Sequence, residues 1–156
     1  MPDELTHASP HHSARTSPIR VIIMHADASA SEKGTLGWFM DPASKVSYHV
    51  LIGRQGTVYR IVDESRKAWH AGKAKWDGHD DVNGCSLGLS FANKHDGVEA
   101  LTPVQIAVAR DIVAGWRKKY PGIRAVTTHA AVAIPAGRKT DPLNSPGFLL
   151  SDYTAL

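Results

Sequence analysis

His25 and His129 each follow a short run rich in β-branched and apolar residues, Ile19–Met24 and Ile123–Thr128, and Asp141 lies beyond them in the polar loop Gly137–Pro142. Two imidazoles and one carboxylate make a three-ligand set for zinc that leaves a fourth position open to water. Neutral imidazole and ionised carboxylate are the forms that zinc needs, and both exist near neutral pH. Water bound there would have its pKa lowered to roughly 7, which makes hydroxide available as a nucleophile. Lys139 precedes Asp141 by two positions. In an extended segment the two project to the same side, so the ammonium can stabilise an oxyanion beside the metal. The three ligands are widely separated along the chain, and there is no compact motif such as H-E-x-x-H. Taken singly, each histidine reads more often as a hydrogen-bonded structural residue than as a ligand, and Asp141 before Pro142 equally as a turn residue.

The elements that must position these residues are readable from periodicity. Ile19–Met24 is a nearly continuous apolar run, the pattern of a strand covered on both faces, and a histidine at its end sits where α/β sheets place ligands. Residues 34–40 predict a short helix stopped by Asp41-Pro42. Val46–Ile52 and Thr57–Val62, separated by Gly53-Arg54-Gln55-Gly56, predict a hairpin. Strict alternation there puts Tyr48, Val50 and Ile52 on one face and His49 and Leu51 on the other, with His49 turned away from the metal. Arg66–Gly84 reads as loop, and Cys85–Phe91 as another strand. Thr102–Tyr120 is the clearest helix, with Thr102 as N-cap, Pro103 in the first turn and Gln105 completing a capping box. Ala109, Ile112, Val113, Trp116 and Tyr120 form its apolar stripe. The remainder after His129 carries at most a short terminal helix.

Length and composition set the frame. A chain of 156 residues with 42% hydrophobic and 21% charged residues suits one soluble domain with a single core. Residues 1–18, rich in Ser, Pro, His and Thr, read as a flexible tail in which His7, His11 and His12 are solvated, and residues 19–156 as the folded domain. The net charge of +3 without a basic run gives no case for nucleic acid. The single cysteine, Cys85, excludes an internal disulfide framework and reads as a core residue of its strand. The start lacks the features of a secretory signal and no stretch is long enough to span a membrane, so a cytoplasmic product is expected, acting on the wall only after release. His79 and His95, in polar loops, are expected to be exposed.

The ordered segments VIIMH (21–25), Trp38-Phe39 with Asp41-Pro42, VSYHVLIG (46–53), QGTVY (55–59), AWHAG (68–72), Trp76, Asn83, SLGL (86–89), TPVQ (102–105), Thr128-His129 and RKTDP (138–142) resemble the type 2, zinc-dependent N-acetylmuramoyl-L-alanine amidases. These are related to phage amidase endolysins and peptidoglycan recognition proteins, and the resemblance runs from Ile19 to about Phe148. It implies a single α/β domain with a central, mainly mixed sheet flanked by helices. It implies one zinc per chain on His25, His129 and Asp141, and attack of zinc-bound water on the amide between N-acetylmuramic acid and L-alanine. Lys139 then polarises the carbonyl, and Trp69, His70 and Asn83 line the substrate groove. The implied partner is peptidoglycan or a muropeptide, bound by a monomer.

One departure bears on mechanism. Many members end the segment S-I-G-I-E with a water-activating glutamate, and here that position is Ser90. Tyr48 matches an active-site tyrosine of the phage-type and recognition-protein branches. The resemblance therefore implies a swapped catalytic partner, Tyr48 in place of the carboxylate, with a purely packing role as the plain alternative and Asp27 as the next carboxylate to consider. An endolysin and a cytosolic muropeptide-recycling enzyme both fit this pattern. A peptidoglycan-binding module without catalysis is the reading from a different class.

Overall fold

The computed structural model describes residues 2–156; Met1, which belongs to the expected tail, lies outside the described residues. Among the described residues eight strands form: β1 Glu4–Thr6, β2 His12–Ala14, β3 Val21–Ala26, β4 Val50–Ile52, β5 Val58–Arg60, β6 Arg66–Ala68, β7 Ser86–Phe91 and β8 Ala125–Thr128. The helices are α1 Glu32–Met40, α2 Pro103–Lys119, and the one-turn α3 His129–Val132 and α4 Ser151–Thr154. Six strands make a mixed sheet in the order β1-β5-β4-β7-β3-β8, and β2 and β6 pair separately. The core of the sheet, β4-β7-β3-β8, is parallel, so its strands all end along one edge.

Alternation along β3 and β7 divides the molecule into two layers. Ile22 and Met24, with Leu87, Leu89 and Phe91, turn to the face covered by α2, where Val108, Ala109, Val113 and Trp116 complete the main core. Each buried Val, Leu, Ile, Met or Phe side chain among them contributes roughly 1.5–3 kcal/mol of hydrophobic stabilisation. Val21, Ile23 and His25 are likewise fully buried, but they point to the opposite face. Helix α2 starts as expected: Thr102 accepts from the Gln105 N–H, and the Gln105 side chain accepts from the Thr102 N–H. Gln105 does more than cap. Its buried Nε2 donates to the carbonyls of Ile52 and Ala92, fastening the helix start to the sheet. Among the described residues, no helix is long and apolar enough to cross a membrane.

Three expectations are corrected. Residues 1–18 are not a flexible tail in the described part: β1 lies parallel to β5, β2 lies antiparallel to β6, and Ser9 and His11 are buried. Their order comes from partners 50 or so positions away rather than from local apolar periodicity, which is why composition pointed the other way. The segment 66–84 contains β6 for the same reason. Finally, Tyr48 does not share a face with Val50 and Ile52. The regular strand begins only at Val50; His49 still bonds to Gly88 and Ile61, but the Ser47 N–H already donates to the Trp69 carbonyl outside the sheet, so the alternation does not extend to Tyr48. Tyr48 thus packs with Leu51 and Phe39.

His49 is fully buried, accepting from the Gly88 N–H on Nδ1 and placing Nε2 2.9 Å from the Arg66 carbonyl. Burial lowers its pKa to about 4, with the Arg66 carbonyl opposing and the Arg15 charge adding to the shift. Cys85 is buried in the core, as expected, and His79 and His95 are half-buried rather than exposed.

Two outcomes are expected. Deleting residues 2–14 removes β1, β2 and the Ser9 and His11 contacts, so Tm should fall by about 5 °C or more; an unchanged Tm is what a flexible tail would give. Because the folded pKa of His49 lies below its unfolded value, the unfolded state binds more protons between about 4 and 6.5. Denaturant titrations should show stability lost as pH falls through that window, by roughly 1.4 kcal/mol per pH unit for a fully buried imidazole, and His49→Gln should flatten the slope.

Candidate metal centre

Because β3 and β8 are parallel neighbours, their carboxyl ends lie side by side, and the residues there are His25 and His129. Their rings are 4.5 Å apart between centroids, with the two Nδ1 atoms 3.1 Å apart. Asp141 enters from the loop after α3, its Oδ2 3.3 Å from His25 Nδ1 and its Oδ1 3.1 Å from His129 Nδ1. All three side chains are buried, and their candidate ligand atoms lie within 4.8 Å of one another. The loop is tied down through its backbone, with the Ala130 N–H donating to the Asp141 carbonyl. Burial lowers the His25 pKa to about 4, with the Asp141 carboxylate opposing. Burial alone would raise Asp141, but hydrogen bonds and charge from the two imidazoles hold it well below the usual carboxylate range. Neutral imidazole beside ionised carboxylate is the donor form that a divalent metal requires.

The opposite edges of both rings rest on the segment 68–72. His25 Nε2 lies 2.8 Å from His70 Nδ1, and His129 Nε2 lies 3.0 Å from the Ala71 carbonyl. Asn83 Oδ1 accepts from the N–H groups of both His70 and Ala71. Arg138 donates to the carbonyls of Ala71 and Lys73, and Gly72 supplies the positive φ of 59° that the tight turn needs.

The cluster opens into a cavity of about 840 Å³ lined also by Asp27, Trp38, Tyr48, Trp69 and Lys139. Lys139 is exposed on its wall. The Tyr48 ring packs against His25 at 4.9 Å and edge-on to Phe39 at 5.3 Å. Burial, then the charges of Asp141 and Asp27, push its phenol pKa upward, with the Ser90 hydroxyl opposing. Tyr48 therefore keeps its phenolic proton at neutral pH. Ser90 stands in register between Leu51 and His25 and brings no charge. Asp27 is occupied structurally: it accepts from the Ser29 and Asn93 N–H groups and from the Thr35 hydroxyl at 2.6 Å.

The structure thus brings His129, Asp141, Tyr48, Lys139 and Trp69 to one cavity, with His25 fully buried against His129 and Asp141 behind its wall. His70 and Asn83 also line it, but their polar atoms are turned to His25 and to the loop backbone. His49 stays out, as expected. Sequence reasoning missed the bracing role of Arg138, the exposed Trp38 at the rim, and Ser86, whose hydroxyl lies 2.9 Å from His70 Nε2. Only the co-occurrence of AWHAG with a small residue at 86 could have hinted at the last.

Comparison with known proteins gives the family and the likeness of fold. The chain is 34% identical over 119 residues to 1,6-anhydro-N-acetylmuramyl-L-alanine amidase AmpD of Salmonella typhimurium, which covers 72% of this chain and 57% of that protein. It is 29% identical over 143 residues to N-acetylmuramoyl-L-alanine amidase AmiD of Escherichia coli, covering 80% of this chain and 49% of the relative. The chain therefore spans about half the length of the curated relatives it matches. Among solved structures, a selenomethionyl AmpD derivative superposes with a TM-score of 0.77 at 22% identity, over 98% of this chain and 93% of that one, a likeness of fold. AmiD from E. coli, in complex with anhydro-N-acetylmuramic acid-L-Ala-D-γ-Glu-L-Lys, gives 0.69 at 27% identity, over 83% of this chain and 55% of that one. The family described as N-acetylmuramoyl-L-alanine amidase, Amidase_2, matches residues 15–144, most of the chain, and the chain belongs to that family.

Proposed function

We propose that the chain is a zinc-dependent amidase that hydrolyses the amide between the lactyl group of N-acetylmuramic acid and L-alanine, acting on peptidoglycan or its soluble fragments. The observation that carries this is the His25–His129–Asp141 cluster, buried at the base of a cavity whose wall holds Lys139. The donor set fits zinc: two nitrogens and a carboxylate, the three-protein-ligand count of catalytic rather than structural sites. Cys85, the one thiol, packs in a separate apolar cluster and is not part of it. Zinc held there supplies Lewis-acid activation of water and of the amide carbonyl.

The chain's own groups supply the rest. Water adds to the carbonyl, the C–N bond breaks, and the proton passes to the leaving amine of L-alanine. Lys139 provides a cation on the cavity wall beside Asp141, suited to the oxyanion that develops as water adds. Tyr48, kept protonated by burial, donates a hydrogen bond to water or oxyanion rather than removing a proton. Trp69 offers an indole face to sugar or peptide, its Nε1 already engaged with the Ser13 hydroxyl. The similarity to AmpD and to substrate-bound AmiD supports muropeptides with an anhydro-muramic end as the first substrates to assay.

The purified protein with one zinc per chain should release the stem peptide from an anhydro-muropeptide, lose that activity to a chelator and regain it with zinc. Binding without release would mark a recognition module, and full activity after metal removal would refute the zinc mechanism. Lys139→Ala should lower kcat on the order of 10²-fold with zinc retained. Tyr48→Phe should cost roughly 10- to 1,000-fold, while Ser90→Ala does far less.

A further inference from the structure

His70 stands behind His25 on the side away from Asp141. It is almost wholly buried, edge-on to the His25 ring at 5.0 Å and 82°. Its two nitrogens are both engaged, Nδ1 with His25 Nε2 at 2.8 Å and Nε2 with the Ser86 hydroxyl at 2.9 Å. The space it fills exists because residue 88 is glycine: a Cβ there would stand 2.7–2.9 Å from the ring atoms of His70. Gly88 and Ser86 are alternate residues of β7 and therefore share the face of the sheet that carries His25.

Hydrogen-bond bookkeeping gives this arrangement a direction. His25 presents Nδ1 to the cluster, so a metal bound there requires the ring proton on Nε2. That proton can only be given to His70 Nδ1, which must then be unprotonated. The His70 proton is consequently on Nε2 and is given to the Ser86 oxygen. Asp141 pulls the other way, because its Oδ2 at 3.3 Å favours a proton on His25 Nδ1, the tautomer that cannot ligate. His129 needs no such device, since the Ala71 carbonyl at its Nε2 only accepts.

We propose that His70 and Ser86 form a positioning relay that holds His25 in its Nε2–H tautomer and so aims the Nδ1 lone pair at the metal. His70 is a positioning residue, not a group that touches substrate. The relay rests on the reading of the cluster as a zinc centre. Partners placed behind a ligand in this way are typically worth 10- to 100-fold in metal affinity.

The test is the zinc dissociation constant by chelator competition, alongside Tm of the metal-free protein. His70→Leu fills the space without an acceptor and should weaken zinc 10- to 100-fold. His70→Asn places an amide oxygen near Nδ1 and should restore most of the affinity, although it lowers Tm as much. A purely structural role would let affinity follow Tm in both variants, and that result overturns the relay, as does parent-like affinity in a folded His70→Leu. Where His70→Leu does not fold, nitrogen-15 correlation spectra of the zinc-titrated parent decide: Nε2–H on both His25 and His70 is expected, and Nδ1–H on His70 overturns the relay. A parent that binds no zinc refutes the metal reading itself, an outcome distinct from a parent that binds zinc while His70→Leu binds it equally well.

Discussion

A carboxylate and two imidazoles lie buried side by side at the ends of β3 and β8, and much of the surrounding structure follows from keeping them there. Taking Asp141 out of water is unfavourable by several kcal/mol unless the charge is met. The Ala26 N–H meets it in part, at 3.3 Å from Oδ2; the loop is anchored through its own backbone carbonyl, and His25 and His129 stand at 3.1–3.3 Å, a spacing that a cation shared by the three groups would complete. The imidazoles in turn need acceptors on their far edges. The segment 68–72 supplies both, one from a side chain and one from a carbonyl, and is itself held by Asn83 and Arg138.

Such a polar assembly is tolerated because the other face of the sheet is apolar. Ile22, Met24, Leu87, Leu89 and Phe91 alternate with the site-facing residues and pack on α2, so the same strands build the core and aim the ligands. Parallel pairing of β4, β7, β3 and β8 brings their carboxyl ends to one edge, where the cavity opens. Small residues at 86, 88 and 90 leave room on the polar face for His70 and Tyr48. Ser90, which brings no charge, fits this setting: it lies beside the Tyr48 phenol, whose proton the buried surroundings retain.

What could be read from sequence was whatever local chemistry determines. The apolar runs of β3 and β7, the capping box of α2 and the strand-terminal position of His25 are all written in adjacent residues. What could not be read depends on partners far along the chain. The N-terminal strands have no apolar signature because their order comes from pairing with β5 and β6. Tyr48 looked bound to its strand's alternation, yet the regular strand starts only at Val50, the Ser47 N–H bonds to Trp69 outside the sheet, and the Tyr48 ring packs on His25. His70 and Asn83, expected along the groove, spend their polar atoms inward, a distinction that spacing alone does not carry.

The most direct measurement on the centre itself is the zinc-edge X-ray absorption spectrum of the loaded protein. Ligation by His25, His129 and Asp141 predicts two imidazole nitrogens at about 2.0–2.1 Å, oxygen scatterers and no sulfur, and His129→Ala should remove one imidazole from that shell or abolish binding. A shell of oxygens without imidazole, or one containing sulfur from Cys85, would contradict it.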